Sequence, residues 1–334
     1  MRMRAVVMSD VARAAGVSQQ TVSRVLHDHP SVRPETRARV NAAIERLGYQ
    51  PNLAARSLAA GRSGTIGVLL MSRLSHGTAS TFAAIAESAR QEGYQLVVTS
   101  APDDSPGAVH SALDELAGYR VEASIILARR ITALEELDSR PTQSPRILMA
   151  GQGGIAGAAT VAIDQAAGAT AATEHLVRTG RRRLVHVAGD LSNADAVARR
   201  DAFVRTCAEQ GVQAVVVDAG GWSAEDGARA GAEALGASPD GVFAANDDLA
   251  LGVMRALHDA GYRVPDDVGL VGFDDVPASR MLVPALTTVV QDFHALGRAV
   301  MAQVVAVASG REPQDVLLDA KLVIRESSRP VDPR

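Results

Sequence analysis

Three long polar side chains near the N-terminus have the chemistry needed to read DNA bases. Gln19, Gln20 and Arg24 fall about one turn apart on a predicted helix and off its apolar face. Glutamine can form two hydrogen bonds with adenine, and arginine can do the same with guanine O6 and N7 in the major groove. A solvated helix face would carry the same residue types, so the elements around this helix decide between the two interpretations.

The segments around these side chains predict a helix-turn-helix, in which the second helix presents its polar face to DNA. Ser9 fits the cap of a first helix that ends at Gly16, and Ser18 fits the cap of the second. Pro34 can start a third helix and Gly48 can stop it. We therefore expect a small all-α head.

The head is basic although the chain as a whole is acidic. Residues 1–62 contain ten arginines against four acidic residues, a net charge of +6, whereas the entire chain of 334 residues has a net charge of −4. The remainder therefore carries −10. A small basic segment on an acidic body points to a polyanionic partner for that segment alone, which favours double-stranded DNA.

Composition excludes several other classes of protein. The chain is 47% hydrophobic and 22% charged, so it can form a sizeable core. Cys207 is the only cysteine, which excludes an intrachain disulfide, and we expect it to be buried and inert in a helix. No apolar run approaches the roughly 20 residues that span a bilayer, and Ser9 and Asp10 interrupt any signal peptide, so we expect a cytoplasmic protein. No nucleophile–base pair, Walker loop or metal-ligand spacing stands out, so we expect no enzyme, no cofactor and no metal site.

Beyond residue 64, short β-branched runs alternate with alanine-rich amphipathic stretches. This alternation predicts an α/β body of parallel sheets with helices on both faces. About ten strand candidates are too many for one compact sheet, so we expect two doubly wound lobes. Ligands of such sheets bind beyond the carboxyl ends of the strands, which here meet in a cleft between the lobes.

Motifs in both parts of the chain form a coherent set. The head carries DVARAAGVS at 10–18, QTVSRVL at 20–26, LGY at 47–49 and PN at 51–52. The body carries IGV at 66–68, GRR at 180–182, AND at 245–247, ALG at 250–252, VGFDD at 271–275 and LTT at 286–288. Together they resemble the lac repressor family (LacI/GalR regulators) over almost the whole chain. DAVAR at 195–199, GWS at 221–223 and QDF at 291–293 resemble the lac repressor branch more than the purine-responsive members.

The resemblance implies a DNA-binding head on a body of two periplasmic-binding-protein-like lobes, assembled as a homodimer. Its expected parts are a head at 1–50, a hinge helix and linker at 51–64, and an effector-binding and dimerisation body at 65–329. The first lobe would take about 65–162 and 292–319, and the second about 163–291 and 320–329. No leucine heptads follow such as those of the tetramerising tail of the lac repressor branch, so we expect a dimer.

The resemblance also implies further DNA contacts. The candidates for phosphate or backbone contacts are Ser18, Thr21, Ser23 and Asn52. Leu58 would enter a central minor-groove step with Ala55 packed beside it, or else is a plain packing leucine. Residues 52–60 are too few for a stable isolated helix, so we expect them to become helical only on the operator.

For the cleft, the resemblance implies a sugar site formed by Arg199, Trp222, Asn246, Asp274 and Phe293. Trp222 can stack on a sugar ring, and the three polar side chains suit hydroxyl groups. The alternatives are a core anchor for Trp222, ordinary helix caps for Asn246 and Asp274, and a core position for Phe293. An effector that lowers operator affinity is expected.

Some residues depart from the pattern of the lac repressor branch. Ala150 stands where a pocket aspartate is expected, and the stretch 75–78 is less apolar, so we expect a glycoside other than a simple galactoside, such as a disaccharide. A dinucleotide-type glycine motif at 151–156 precedes a strand instead of a helix, so it fails its structural context. His76 fits either a dimer-interface switch or a plain surface position, and the arginines at 181–183 are interpreted as a solvated helix end. The alternative function is a sugar-binding or sugar-processing protein with a vestigial head.

Overall fold

The computed structural model describes residues 6–26, 29–49, 63–71, 75–103, 105–128, 130–132, 137, 144–149 and 158–330. The chain divides into two compact units, a head up to Ser63 and a body from Gly64 onward. Among the described helices, none combines the length and the hydrophobicity needed to cross a membrane.

The head consists of α1 (Met8–Ala15), α2 (Gln19–Leu26) and α3 (Pro34–Leu47). Its core is a single cluster of buried apolar side chains that includes Val11, Val22, Val25, Val40 and Tyr49. The predicted helix-turn-helix is therefore confirmed. Glycines end α1 and α3 in the left-handed conformation, with φ of 63° at residue 16 and 60° at residue 48.

The expected cap of the first helix is wrong. Helix α1 begins at Met8, with Val7 as its N-cap, so Ser9 lies inside the first turn. The carboxylate of Asp10 accepts a hydrogen bond from the Val7 N–H at 3.1 Å. This contact closes the turn earlier than the position of the serine suggested.

The first sheet of the body is parallel throughout its described pairings. Its strands are β1 (Thr65–Leu70), β2 (Gln95–Ser100), β3 (Ala123–Leu127), β4 (Arg146–Met149), β5 (Ala158–Ile163) and β11 (Val316–Leu318), in the order β11-β5-β4-β3-β1-β2. Helices α4 (His76–Gln91), α5 (Pro106–Gly118) and α10 (Phe293–Ala308) accompany it. We call this sheet with its helices the first lobe.

The second sheet is parallel except for its last strand. Its strands are β6 (Arg183–Ala188), β7 (Gln213–Asp218), β8 (Gly241–Ala244), β9 (Gly269–Asp274), β10 (Thr287–Val290) and the antiparallel β12 (Lys321–Val323), in the order β12-β10-β9-β8-β6-β7. One face packs on α6 (Gln165–Arg178) and α7 (Ala194–Gln210), and the other packs on α8 (Ala224–Ala234) and α9 (Asp247–Asp259). This second lobe completes the predicted pair of doubly wound lobes, so the fold class is confirmed.

The chain passes between the lobes three times: between β5 and α6, between β10 and α10, and between β11 and β12. At the first crossing, Asp164 alone separates β5 from α6. At the second, Gln291 and Asp292 separate β10 from α10. Parallel strands place their carboxyl ends at one edge, so both crossings lie where a ligand of such sheets would bind.

The interpretation of residues 181–183 as a solvated helix end is wrong for Arg181, which is only 1% exposed. Its guanidinium donates to the carbonyl oxygens of Asp240 at 3.0 Å, Pro265 at 2.8 Å and Arg329 at 3.2 Å. Burial lowers the pKa of this guanidinium. Arg181 therefore joins three segments that are far apart in sequence. Cys207 is buried as expected, and burial raises the pKa of its thiol to about 11.

Candidate functional site

Helix α2 presents its long polar side chains to solvent. Gln19, Gln20 and Arg24 are exposed, whereas Val22 and Val25 of the same helix are buried in the head core. We call the three polar side chains the exposed α2 face. Their lengths and donor groups fit hydrogen bonding to base edges in a major groove.

The smaller polar residues of this region divide between structural and outward positions. Ser18 caps α2, because its Oγ accepts from the Thr21 N–H at 3.1 Å, and the two hydroxyl groups are 2.9 Å apart. Ser18 is exposed, while Thr21 and Ser23 are half-buried. Such positions at a helix N-terminus suit contacts to phosphate oxygens. Asn52, Ala55 and Leu58 lie outside the described residues, and so does Ala150.

In the second lobe, Arg199 is the centre of a buried polar cluster. Asn193 accepts from the Asp195 N–H at 2.9 Å and starts α7, which carries Arg199 inward so that the residue is 2% exposed. The guanidinium donates twice to Gln165 Oε1, at 2.9 and 2.7 Å, and also to the carbonyl oxygen of Ala245.

Two glutamines connect Arg199 to Asp274. Gln165 Nε2 donates to Gln291 Oε1 at 3.0 Å, and Gln291 Nε2 donates to Asp274 Oδ1. Asp274 Oδ1 lies 4.0 Å from Arg199 Nη2, so the four side chains form a closed ring of polar contacts. We call Arg199, Gln165, Gln291 and Asp274 the polar ring. All four are buried, so their groups interact in a medium where each contact is stronger than in water.

The two glutamines occupy the crossings between the lobes. Gln165 is the first residue of α6 and follows β5 closely, while Gln291 immediately follows β10. Sequence reasoning did not single out Gln165, and it quoted Gln291 only within a motif. A polar residue within two positions of the end of each predicted strand was the available signal, but the contact between the two glutamines joins positions 126 residues apart.

Aromatic rings surround the Arg199 guanidinium. Its Cζ lies 3.7 Å from the ring centroid of Phe273 and 5.8 Å from that of Trp222, which are cation–π distances. Trp222 is half-buried and packs against the second-lobe core, so part of its surface serves as the core anchor considered above. A Cβ at Gly189 would lie 2.6 Å from the indole, so the ring position requires glycine there.

Asn246 is a helix cap, as its alternative interpretation proposed. Its Oδ1 accepts from the Leu249 N–H at 2.8 Å at the start of α9, and its Nδ2 donates to the Trp222 carbonyl oxygen at 3.2 Å. The amide keeps a second Oδ1 lone pair and a second N–H with which it can bond a ligand. The cap therefore fixes the orientation of the side chain beside Trp222.

A second carboxyl group lies behind the polar ring. Asp247 accepts from the Val276 N–H at 2.9 Å, from Ser279 Oγ at 2.6 Å and from Thr288 Oγ1 at 2.5 Å. Burial, together with the negative charge of Asp274, raises its pKa to about 7. Asp247 thus ties α9 to the segments after β9 and within β10 that carry the ring.

A cavity that is partly open to solvent lies where the two lobes meet at these crossings. Its lining residues are Met149, Val161, Ala162, Ile163, Gln165, Asp195, Gln291 and Leu296. The first lobe contributes mainly apolar surface and the second contributes polar groups, including both glutamines of the polar ring. Phe293 is half-buried and packs on the first-lobe core, with the His76 ring edge-on at 6.2 Å. An apolar wall opposite directional polar groups suits a ligand with both kinds of surface.

The structure thus brings Arg199, Trp222, Asn246 and Asp274 together in the second lobe and places Phe293 on the first. Arg199 and Asp274 lie directly behind the two glutamines that line the cavity. Among the described residues, no group of three or more side chains is arranged to hold a metal ion.

Comparison with known proteins gave consistent matches for both units. The model of the lacI family of bacterial regulatory proteins matches residues 7–52, and that of a periplasmic binding protein-like domain matches residues 173–328. The lactose operon repressor of Escherichia coli (strain K12) is 32% identical over 336 residues, covering 98% of this chain and 91% of that protein.

Solved structures agree over the same span. A lac repressor dimer bound to operator and the anti-inducer ONPF has a TM-score of 0.88 at 32% identity, covering 98% of this chain and 100% of the other. A complex of the transcriptional regulator CelR with cellobiose has a TM-score of 0.70 at 27% identity, covering 96% of this chain and 99% of the other.

Proposed function

Because this chain belongs to the lacI family of bacterial regulatory proteins, we propose that it is a transcriptional repressor whose operator affinity is lowered by a small sugar bound between its lobes. The observation that carries the DNA-binding part is the exposed α2 face. Val22 and Val25 fix α2 in the head core, so the opposite side chains project from a rigid helix. A repressor acts where the chromosome is, which corresponds to the cytoplasm of a bacterium.

The proposed effector is a neutral saccharide that bonds to the polar ring. Sugar hydroxyl groups both donate and accept, so they suit Gln165 and Gln291, which line the cavity, and the Arg199 guanidinium and Asp274 carboxylate directly behind them. Trp222 offers a half-exposed ring for stacking, and Phe293 offers an apolar wall. Lactose and cellobiose appear in the names of two relatives, which supports a disaccharide as the first class to test.

The proposed assembly is a homodimer. Met281 and Val283, between β9 and β10, are 73% and 91% exposed, and Ile324 after β12 is 60% exposed. Exposed large apolar side chains favour burial against a partner. A two-fold symmetric pair of heads would read two half-sites of a pseudo-palindromic operator.

The proposed direction of regulation is release of DNA on sugar binding. A ligand changes operator affinity only through its different affinities for two arrangements of the protein. The similarity to a lactose operon repressor favours release over tightening. Under the alternative function, a sugar-processing protein with a vestigial head, the chain would turn over glycosides, which a hydrolysis assay on lactose and cellobiose measures directly.

The decisive experiment selects DNA from random fragments with the purified full-length protein, and then adds lactose or cellobiose. We expect enrichment of one two-fold symmetric sequence and its release by one of the sugars. Enrichment without release by any sugar contradicts the effector class, and recovery of random sequences contradicts the repressor. The salt dependence of binding to the selected site provides a control, because contacts between arginines and phosphates displace counterions.

A further inference from the structure

The loop that carries Asp274 has an unusual backbone. Asp274 has a φ of 111° and Asp275 a φ of 53°, so two consecutive residues other than glycine lie at positive φ. Side chains with a Cβ rarely adopt this conformation, and it persists only where surrounding contacts enforce it. Asp274 is the last residue of the buried strand β9 and Asp275 directly follows it, at the edge where the polar ring lies.

Arg325 binds this loop through the Asp275 carboxylate. Its Nη2 donates to Asp275 Oδ1 at 2.6 Å, its Nη1 donates to the Leu286 carbonyl oxygen at 2.8 Å, and its backbone N–H donates to Thr287 Oγ1 at 2.8 Å. The two charged side chains are only 15% and 13% exposed. Because the largely buried guanidinium is bonded both to the Leu286 carbonyl oxygen and to Asp275, it fixes the position and the direction of the Asp275 carboxylate.

Arg325 itself belongs to an anchored segment. It follows β12, and two residues later Ser327 Oγ donates to the Leu270 carbonyl oxygen at 2.6 Å and accepts from the Thr287 N–H at 2.8 Å. Farther on, Arg181 holds the Arg329 carbonyl oxygen at 3.2 Å. The segment after β12 is therefore bonded to the second lobe at several points, and these bonds hold the backbone of Arg325 in place.

A second arginine contacts the same carboxylate more weakly. Arg280 Nη2 lies 3.4 Å from Asp275 Oδ2, and its side chain is 54% exposed. Exposed ion pairs of this kind contribute little, because water and salt screen them. Arg280 is therefore a matched control for Arg325, because both arginines contact the Asp275 carboxylate but only Arg325 is largely buried.

We infer that Arg325 is a positioning residue for the effector site: its clamp on Asp275 holds Asp274 where the carboxylate accepts from Gln291 and faces Arg199. The inference rests on the proposed function, since it assigns a sugar to that site. Arg325 acts through Asp275 and does not itself touch the ligand. Loss of the clamp relaxes the backbone at both aspartates and moves Asp274 out of the polar ring.

The test compares full-length wild type with Arg325→Gln, Arg325→Lys, Asp275→Asn and Arg280→Gln. Lactose and cellobiose binding is measured by titration calorimetry, operator binding is measured without sugar, and all titrations are run below the unfolding temperature of every variant. For Arg325→Gln we expect roughly tenfold weaker sugar binding with operator affinity within about twofold of wild type, because a largely buried charge-assisted contact is lost. Arg325→Lys should recover part of the sugar affinity, and Arg280→Gln should remain within about twofold of wild type.

Asp275→Asn keeps a residue type that tolerates positive φ but removes the charge, so it should bind sugar as weakly as Arg325→Gln. If Arg325→Gln does not fold, Asp275→Asn provides the same comparison. Sugar affinity equal to wild type in the folded variants overturns the inference, and so does an equal loss in Arg280→Gln.

Failure of the proposed function gives a different result. If wild type binds neither sugar, the effector class is contradicted, and a crystal structure of Arg325→Gln or Asp275→Asn then decides the inference. Loss of the bond from Gln291 to Asp274 and a changed φ at Asp274 support it. The inference is overturned if Asp274 keeps both its bond from Gln291 and its φ in the variant.

Discussion

The exposed α2 face and the polar ring use similar residue types in opposite surroundings. Gln19, Gln20 and Arg24 extend into solvent from a helix that is held by apolar contacts on its other side. Arg199 and its two glutamines are buried, and they bond to one another and to Asp274. In the head, the side chains proposed to contact DNA take no part in the core, whereas in the cleft the side chains proposed to meet a ligand also hold the second lobe together.

This difference predicts different consequences of substitution. Removal of a side chain from the exposed α2 face changes affinity for a partner and leaves the fold intact. Removal of a member of the polar ring leaves buried groups without partners, which costs stability before any ligand is considered. The predictions below test that contrast, starting from the largest effect.

Arg199→Ala should lower the free energy of unfolding of the body by about 3–5 kcal/mol, because it leaves the Asp274 carboxylate buried without the positive charge beside it and takes the guanidinium donor away from Gln165 Oε1. Urea denaturation measures the loss. Arg200→Ala is the matched control, since that neighbouring side chain is 33% exposed and pairs with the exposed Asp201 at 2.7 Å. A loss below about 1 kcal/mol is expected for the control. Equal losses in both variants would mean that the polar ring contributes no more to the free energy of unfolding than an exposed ion pair does.

His186 should make the stability of the second lobe depend on pH. The side chain is 0% exposed, its Nδ1 donates to the Phe243 carbonyl oxygen at 2.8 Å, and burial lowers its pKa from 6.5 to about 4. The unfolded chain therefore binds a proton between pH 6.5 and about 4 that the folded chain excludes. The stabilisation is complete above pH 6.5, and about 3 kcal/mol is lost as the pH falls to about 4.

Denaturation curves of wild type and His186→Phe at several pH values measure this contribution. Phenylalanine fits the aromatic surroundings, since the His186 ring stacks on that of Phe243 with centroids 4.6 Å apart. The raised pKa of Asp247 acts in the opposite direction over this range but is common to both proteins, so the difference in unfolding free energy between wild type and variant should change by about 3 kcal/mol between pH 6.5 and 4. The same slope in both proteins would exclude His186 as its source.

Asp274→Ala should bind the operator normally and fail to respond to sugar. It removes the acceptor of Gln291 Nε2 and the negative charge beside Arg199, at a cost in stability of about 1–3 kcal/mol. Operator affinity with and without lactose and cellobiose measures the response. A normal response in this variant contradicts the assignment of Asp274 to the effector site, while the repressor function survives.

Arg24→Ala should weaken binding to the specific site by about 1–3 kcal/mol through loss of a bidentate contact to guanine, with unchanged thermal stability. Arg13→Ala is the control, because that side chain is 80% exposed and forms only a 3.5 Å ion pair with Asp10. Arg37 is unsuitable as a control, since its guanidinium donates to the carbonyl oxygens of Val25 at 3.4 Å and His29 at 3.0 Å. Equal losses on specific and random DNA would exclude base contact by Arg24.

The head was predictable from the sequence because its signals are local. Ser18, Pro34 and Gly48 act within one turn of the helix ends that they define, and Ser9 failed only because Asp10 bonds to the N–H of Val7. The doubly wound fold of the lobes was predictable from the alternation of strand and helix patterns. Strands β11 and β12 were not, because three residues each are too short to show a strand pattern.

The cleft was predictable in part. Arg199, Trp222, Asn246 and Asp274 came from resemblance, whereas Gln165 and Arg325 act through partners 126 and 50 residues away. Arg181 was misread for the same reason, since its three carbonyl partners become neighbours only in the folded lobe. Burial of a charged side chain depends on such distant segments, which composition and periodicity do not report.

The threefold passage of the chain between the lobes also sets the order in which a ribosome can complete them. The described part of the head ends at residue 49, but the first sheet lacks its edge strand β11 until residue 318 has been synthesised. Domains fold as units during synthesis, N-terminal parts first. A nascent chain therefore carries a complete head through most of its translation, attached to a body whose first sheet is completed only near the end. Truncated messages would yield fragments that contain the head but lack a complete first lobe.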